Sequence, residues 1–592
     1  MKSFFLSAAA LPLLAACATV PADTGAIEPQ AAPSVLESAA PVTGSGPVVS
    51  GNALVTAADP RAAEVGAQIL RQGGSATDAA IAVMLALTVV EPQSSGIGGG
   101  GFFVRGDASG AVTTIDGRET APAAAGEDWF LDGEGNSVGY RGAVMTGLSI
   151  GVPGNLRLAE LAHARHGRLE WAQLVAPAIE LASGGFTLSE RGHEYLGRYK
   201  QRASRDSGAD GVYFDAAGEA LPVGTRIFNP ELAVTLRLIA GRGPGALYRG
   251  GIAANLAAEI AADTPGDAAM QPADLEAYRA KQRPPVCGDY RGYRICGMGP
   301  PSSGATTVFA ILKQLERFDL AALGPDNPIF WHLFAESQRL AYADRERYLA
   351  DRDFVPVPTG WLTDPAYLAT RSALISLDSR MAEVAAGIAP QAALAPPDGD
   401  EPPERGTTHF AVVDNAGNAV SYTSTIEGPF GSGLMFGGFY LNNELTDFSF
   451  SPEMDGRPVA NRVEGGKRPR SSMAPTLVYA PDGSLFMAVG AAGGGTIPVQ
   501  TARSIIAAID FGLPVDETLA FPMLYSPGDS MAVEEGTMLE SLIPALQALG
   551  HEVSARRLPL KANAILCRAG KPCTGAGDPR SEGVAVSANS GE

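Results

Sequence analysis

The apolar positions change spacing along the chain, and the change divides it into two kinds of segment. Asp59 to Leu70 reads as a helix ended by Gly73-Gly74. Ser75 can N-cap a second helix from about Ala76 to Val90. Its stretch 79–90 is almost wholly apolar, yet a membrane span needs about 20 such residues, so a buried core helix is expected. A glycine run at 96–101 leads into a strand-like Phe102-Phe103-Val104. That run neither follows a strand nor opens a helix, which argues against a nucleotide loop. Residues 150–390 alternate helical stretches with Gly/Pro turns, and 331–350 reads as a strongly amphipathic helix. Residues 387–405 are rich in Ala, Pro and acids and predict an exposed, mobile loop.

After residue 405 the pattern turns to strands. Thr408–Val413 and Ala419–Thr425 flank a turn-forming 414–418, which predicts a hairpin. Leu485–Val489 predicts another strand. A glycine turn at 493–495 follows it, and then a helix from about Ile497 to Phe511. A glycine turn that opens a helix exposes backbone N–H groups and the positive end of the helix dipole. Such a turn can hold an anion or the oxyanion of an acyl transfer.

Composition narrows the function classes. The chain has 592 residues and a formal net charge of −20. Nucleic-acid binders neutralise phosphates with basic side chains, so nucleic acid is not expected as a partner. Only six histidines occur, with no HExxH and no CxxC, so no protein-built zinc site and no cofactor are expected. At the N-terminus Lys2 precedes an apolar run, Phe4 to Ala16, and then Cys17. This reads as a signal peptide over 1–16. Leu14-Ala15-Ala16-Cys17 resembles a bacterial lipobox, which implies lipidation of Cys17 and a place on the periplasmic face of the inner or outer membrane. Residues 17–52 read as a flexible tether, with ordered structure from about Ala53.

No GxSxG elbow is present, so an α/β-hydrolase serine enzyme has no support. The candidate nucleophile is Thr407, which follows Gly406 where the acidic loop gives way to a strand. A cut before Thr407 would free its α-amine. That amine ordinarily titrates at about 7.7–8.0 and could deprotonate the neighbouring hydroxyl near neutral pH. One residue would then supply nucleophile and base.

An ordered series of motifs sharpens this reading. It runs GGSATDAAIA (73–82), GIGGGGFF (96–103), IDGRETAP (115–122), PPSSG (300–304) and AYADRERYLAD (341–351). It continues through GTTHFAVVD (406–414), GPFGSG (428–433), LNNELTDFS (441–449), KRPRSSMAPT (467–476), GAAGGG (490–495) and GAGDPR (575–580). By these motifs the chain resembles the γ-glutamyltransferase (glutathione hydrolase) family. The resemblance implies an α/β (α+β) N-terminal-nucleophile hydrolase fold of four layers, αββα. It implies self-cleavage after Gly406 into a large subunit, 53–406, and a small catalytic subunit, 407–592, that stay associated. Thr407 matches the nucleophile, and Thr425 the threonine that bonds to it. Arg118, Ser471 and Ser472 match the groups that hold a substrate α-carboxylate, and Glu444 and Asp447 the pair that holds its α-ammonium. Gly493 and Gly494 match the oxyanion hole. The implied partners are a γ-glutamyl substrate such as glutathione and amino-acid or peptide acceptors.

Two departures bear on specificity. Glu427 stands where the family commonly has asparagine, so it needs a partner or a proton, or else strengthens the pull on an ammonium. The segment 448–468 is short and carries no Tyr or Trp, which predicts an open site without an aromatic lid. An open site keeps one rival in view, an acylase for glutaryl or cephalosporin-type amides; a rival of another class is an uncut binding lipoprotein, against which the intact Thr407, Arg118 and Ser471-Ser472 set argues. Five cysteines occur. With Cys17 assigned to lipid, Cys287 and Cys296 flank one short turn and Cys567 and Cys573 another, which predicts two local disulfides in an oxidising envelope.

Overall fold

The computed structural model describes residues 47–266, 268–390, 397, 399 and 406–589. The signal peptide, Cys17, most of the expected tether and most of the expected loop 387–405 lie outside the described residues.

Fourteen strands build two antiparallel sheets. In chain order they are β1 Val49–Gly51, β2 Leu54–Ala57, β3 Gly100–Gly106, β4 Val112–Gly117, β5 Lys281–Arg283, β6 Val286–Tyr290 and β7 Tyr293–Gly297. Then come β8 Thr408–Val413, β9 Ala419–Thr425, β10 Thr476–Tyr479, β11 Leu485–Ala492, β12 Lys561–Leu566, β13 Cys573–Gly577 and β14 Val584–Ser587. One sheet has the order β14-β2-β8-β9-β3-β4-β5, and the other β1-β13-β12-β11-β10-β7-β6. Structure begins slightly earlier than expected, because Val49–Gly51 pairs with Cys573–Gly577 as an edge strand.

Alternation along the strands sorts side chains between two apolar layers. In β8, Phe410 and Val412 join the core shared with α1 (Pro60–Arg71) and α2 (Ala76–Val90). Ala411 and Val413 point the other way, into the core between the sheets. Phe103 and its neighbours Phe102 and Val104 divide in the same manner. Helices α4 (Gly304–Leu315), α5 (Pro328–Tyr348) and α6 (Ile497–Ile509) belong to the second core, while α3 (Asn155–His166) joins the first. The result is the expected αββα order. Among the described residues no helix is long and apolar enough to cross a membrane.

Local chemistry sets the helix starts. Ser75 and Asp78 form a capping box at α2, with Asp78 N donating to Ser75 Oγ at 3.2 Å and Ser75 N to Asp78 Oδ2 at 2.9 Å. Every residue of α2 is buried, as its unbroken apolar run requires. The β8–β9 hairpin pairs Thr408 with Ser424 and Val413 with Ala419. Its tip is tied to α2, because Ala76 N donates to Asp414 Oδ2 at 3.0 Å.

Most polar positions of the amphipathic helix α5 are covered: Glu346 and Arg347 are partly exposed, while His332, Glu336, Gln338, Arg339, Asp344 and Arg345 are buried. They are satisfied inside the protein, for example by the Arg339–Glu336 pair at 2.8 Å. Periodicity cannot separate a solvated polar face from one that other polar groups cover.

Both expected disulfides are present, Cys287–Cys296 joining β6 to β7 and Cys567–Cys573 closing the turn between β12 and β13. Thiol titration of the native protein without reductant is expected to find none of these four cysteines free. Four reactive thiols would contradict the pairing.

Candidate active site

Thr407 lies at the entry to β8, at the centre of its sheet, and is buried. Its hydroxyl donates to the carbonyl oxygen of Gly406, the peptide bond that precedes it. The same oxygen accepts from Thr425 Oγ1 at 3.2 Å. Thr425 ends β9, and its hydroxyl accepts from Glu427 N at 2.8 Å. Gly406 is required by crowding, since a Cβ there would stand 2.1 Å from the Glu427 carbonyl oxygen.

From Thr425 a chain of contacts leads to the other expected residues. Glu427 is buried, with φ at 69°, and its carboxylate accepts from the side-chain amide of Asn443. Asn443 Oδ1 in turn accepts from Gly428 N at 2.9 Å. The Asn443 amide is therefore one partner of Glu427. Asn443 precedes the short helical turn Glu444–Asp447, which presents two buried acids. Arg118 lies between them, with Nη1 on Glu444 and Nη2 on Asp447. Two further donors reach main-chain carbonyls, Nε to Pro469 at 3.2 Å and Nη2 to Arg470 at 2.8 Å. Ser471 and Ser472 follow directly. Ser472 Oγ accepts from Arg345 Nη2 at 2.6 Å, and Arg345 Nε donates to Ser303 Oγ at 2.9 Å. Arg345 comes from the polar face of α5, so that face supports the site.

Gly493 and Gly494 follow β11 and lead through a 3-10 turn, Gly494–Thr496, into α6. Gly493 has φ of 126°, and a Cβ on it would stand 2.2 Å from the Pro559 carbonyl, so only glycine fits. The turn lies close to Thr407 through β12: Ala492 pairs with Lys561, and Lys561 Nζ donates to the Thr407 carbonyl at 3.4 Å.

The segment 448–468 holds a small exposed hairpin, Glu453–Met454 with Arg457–Pro458. Its aromatic residues are buried at its base, where Phe450 stacks on Phe130 with ring centroids 4.3 Å apart. Met454 and Arg457 line a cavity of about 860 Å³ with Tyr342 and Glu346 of α5. Glu346 also pairs with Arg470, beside the serine pair.

Sequence reasoning passed over two charged groups here. Glu119, next to Arg118, is fully buried. Burial pushes its carboxyl up to about 8, with Arg118 pulling the other way, so it is largely neutral at pH 7. Its place in the 115–122 motif is the only signal that could have marked it. Lys561 lies in no motif. His409, inside the nucleophile motif, is buried against Thr423 at 2.9 Å, and burial pushes it down to about 3, so it stays neutral. Among the described residues no group of three His, Cys, Asp or Glu could hold a metal ion.

Glu119 gives a stability prediction with a definite sign. Its folded value lies above its ordinary 4.5, so the folded state gains from the bound proton below about pH 4.5 and loses that advantage as pH rises towards 8. Glu119→Gln is expected to flatten the fall in Tm between pH 5 and 8. A parental slope in the variant would show that Glu119 does not titrate in this window.

Comparison with known proteins agrees with this geometry. The family described as gamma-glutamyltranspeptidase matches residues 62–588. The glutathione hydrolase proenzyme of Escherichia coli (strain K12) is 36% identical over 544 residues, covering 90% of this chain and 91% of that protein. The glutathione hydrolase proenzyme of Bacillus subtilis (strain 168) is 37% identical over 515 residues, covering 85% and 86%. Among solved structures, the cephalosporin acylase from Bacillus halodurans superposes with a TM-score of 0.78 at 26% identity, covering 96% of this chain and 100% of that one. With the N-terminal-nucleophile layers, the Thr407–Gly406 contact and the family match over nearly the whole described body, this chain belongs to the γ-glutamyltranspeptidase family.

Proposed function

We propose that the protein is a γ-glutamyl amide hydrolase and transferase that matures by cutting itself between Gly406 and Thr407. The observation that carries this reading is the connected site. A threonine hydroxyl rests on its own preceding carbonyl at one end, and Arg118 lies between two buried acids at the other. The precursor names of the Escherichia coli and Bacillus subtilis relatives support both the cut and the substrate class.

In the precursor, Thr425 Oγ1 polarises the Gly406 carbonyl while Thr407 Oγ1 is held beside it. Attack by that hydroxyl moves the acyl group from nitrogen to oxygen, its proton passing to the nitrogen so that the Thr407 α-amine is freed; water then hydrolyses the ester, releasing the Gly406 carboxylate and restoring the Thr407 hydroxyl. In the mature enzyme the α-amine takes the hydroxyl proton as Thr407 Oγ1 attacks the γ-carbonyl of the substrate. Backbone N–H groups of Gly493 and Gly494 stabilise the oxyanion. Collapse returns the proton to the departing amine and leaves a γ-glutamyl ester on Thr407. Water, or the amine of an acceptor amino acid, resolves the ester.

The charged end selects the substrate. Arg118 pairs with both Glu444 and Asp447, all three buried. An amino-acid end is a dipole that can exchange into this set, its carboxylate towards Arg118, Ser471 and Ser472 and its ammonium towards the acids. Buried charges need such partners, so a ligand that lacks the ammonium leaves the acids poorly matched. Glu427, held by Asn443, adds a further acid at this end. A second reading, an amidase for glutaryl or cephalosporin-type N-acyl groups, draws on the likeness to the Bacillus halodurans acylase. For its place in the cell, the Leu14–Cys17 motif supports a lipid anchor at Cys17 in a bacterial envelope.

Thr407→Ala is expected to run as one uncut band on a denaturing gel, where the parent gives two. Two bands from the variant would end the nucleophile assignment. The cut parent is expected to prefer γ-glutamyl-p-nitroanilide over its glutaryl analogue by about 100-fold or more in kcat/KM, the scale of one unpaired buried charge. Equal rates would favour the acylase reading.

A further inference from the structure

One buried cation beside Thr407 has no part in the chemistry above. Lys561 opens β12 and is 3% exposed. Its ammonium pairs with Glu91, the residue that ends α2, and both side chains are buried. Glu91 also accepts from Ser94 Oγ at 3.2 Å. A second direction of the ammonium is towards the nucleophile, with Nζ donating to the Thr407 carbonyl at 3.4 Å. Arg191 and Glu582 are the other charged groups that face it. Burial holds the ammonium below its ordinary value, and Glu91 pulls it back up.

A pair that only joined α2 to the sheet would not need to touch Thr407. This one does so at the residue where the peptide bond is to be cut. A fixed carbonyl limits rotation about the Thr407 main chain, which governs where its hydroxyl and its nitrogen point. After the cut, that nitrogen is an α-amine in the same residue as the carbonyl the ammonium contacts. A cation so near disfavours a second positive charge.

We propose that Lys561 is a positioning residue for the nucleophile. It clamps the Thr407 carbonyl so that the hydroxyl stays on Gly406 before the cut, and its charge keeps the freed α-amine in its proton-accepting form. The proposal rests on the assignment of Thr407 as nucleophile.

The test compares Lys561→Met and Lys561→Arg with the parent and with Thr407→Ala, following the rate of chain scission and the pH profile of kcat/KM of cut enzyme. Lys561→Met is expected to cut about tenfold more slowly, the scale of a slightly misplaced reacting group. The acid limb of its profile is expected to move to higher pH by about half a pH unit or more, because the amine then holds its proton more tightly. Lys561→Arg is expected to return the limb towards the parental position. A folded Lys561→Met protein with parental scission and a parental acid limb overturns the proposal, and leaves the nucleophile assignment standing if Thr407→Ala is uncut. Scission of Thr407→Ala itself overturns both. Should Lys561→Met fail to fold, the double variant Glu91→Gln/Lys561→Met leaves no buried charge unpaired. Slow scission is expected from that variant, and parental scission overturns the proposal.

Discussion

The structure depends on the buried guanidinium of Arg118 held between Glu444 and Asp447. One cation and two anions, all out of water, are stable only while each keeps its partners. Arg118 lies before the expected cut and the two acids after it. The contact would therefore join the two subunits of the proposed cut and forms the charged end of the candidate site at once. Main-chain carbonyls of Pro469 and Arg470 take two further guanidinium donors, which fixes the serine pair next to the same centre.

The same joining recurs across the fold. Asp116 of β4 pairs with Arg468, Arg345 of α5 donates to Ser472, and Lys561 pairs with Glu91. The sheets are interleaved as well. In the order β14-β2-β8-β9-β3-β4-β5, strands from before and after residue 407 alternate in blocks. Cutting one peptide bond at the start of β8 leaves every ladder intact, so the two chains cannot part without undoing both sheets.

The candidate nucleophile shows how packing creates chemistry from ordinary residues. A threonine at a strand entry is unremarkable in composition. Here the close approach of the Glu427 carbonyl excludes a side chain at 406, and Thr425 and Thr407 both converge on the Gly406 oxygen. Gly493 is restricted in a similar way by Pro559 and by its positive φ. The polar face of α5, whose amphipathic pattern the sequence shows, is turned inward and supplies Arg345 to the serine pair.

By itself the sequence determined the elements whose cause is local. The α2 capping box, the register of the β8–β9 hairpin and its turn, the β11–glycine–α6 passage and the two short-range disulfides all depend on residues near one another in the chain. The ordered motifs added the family and the residues to watch. Tertiary structure alone decided which charges meet. Arg118 is 326 residues from Glu444, and Lys561 is 470 from Glu91. No periodicity carries such pairings, because they follow from how two sheets and their helices pack. For the same reason the neutral state of Glu119, the amide partner of Glu427 and the clamp on Thr407 emerge only once burial and neighbours are known.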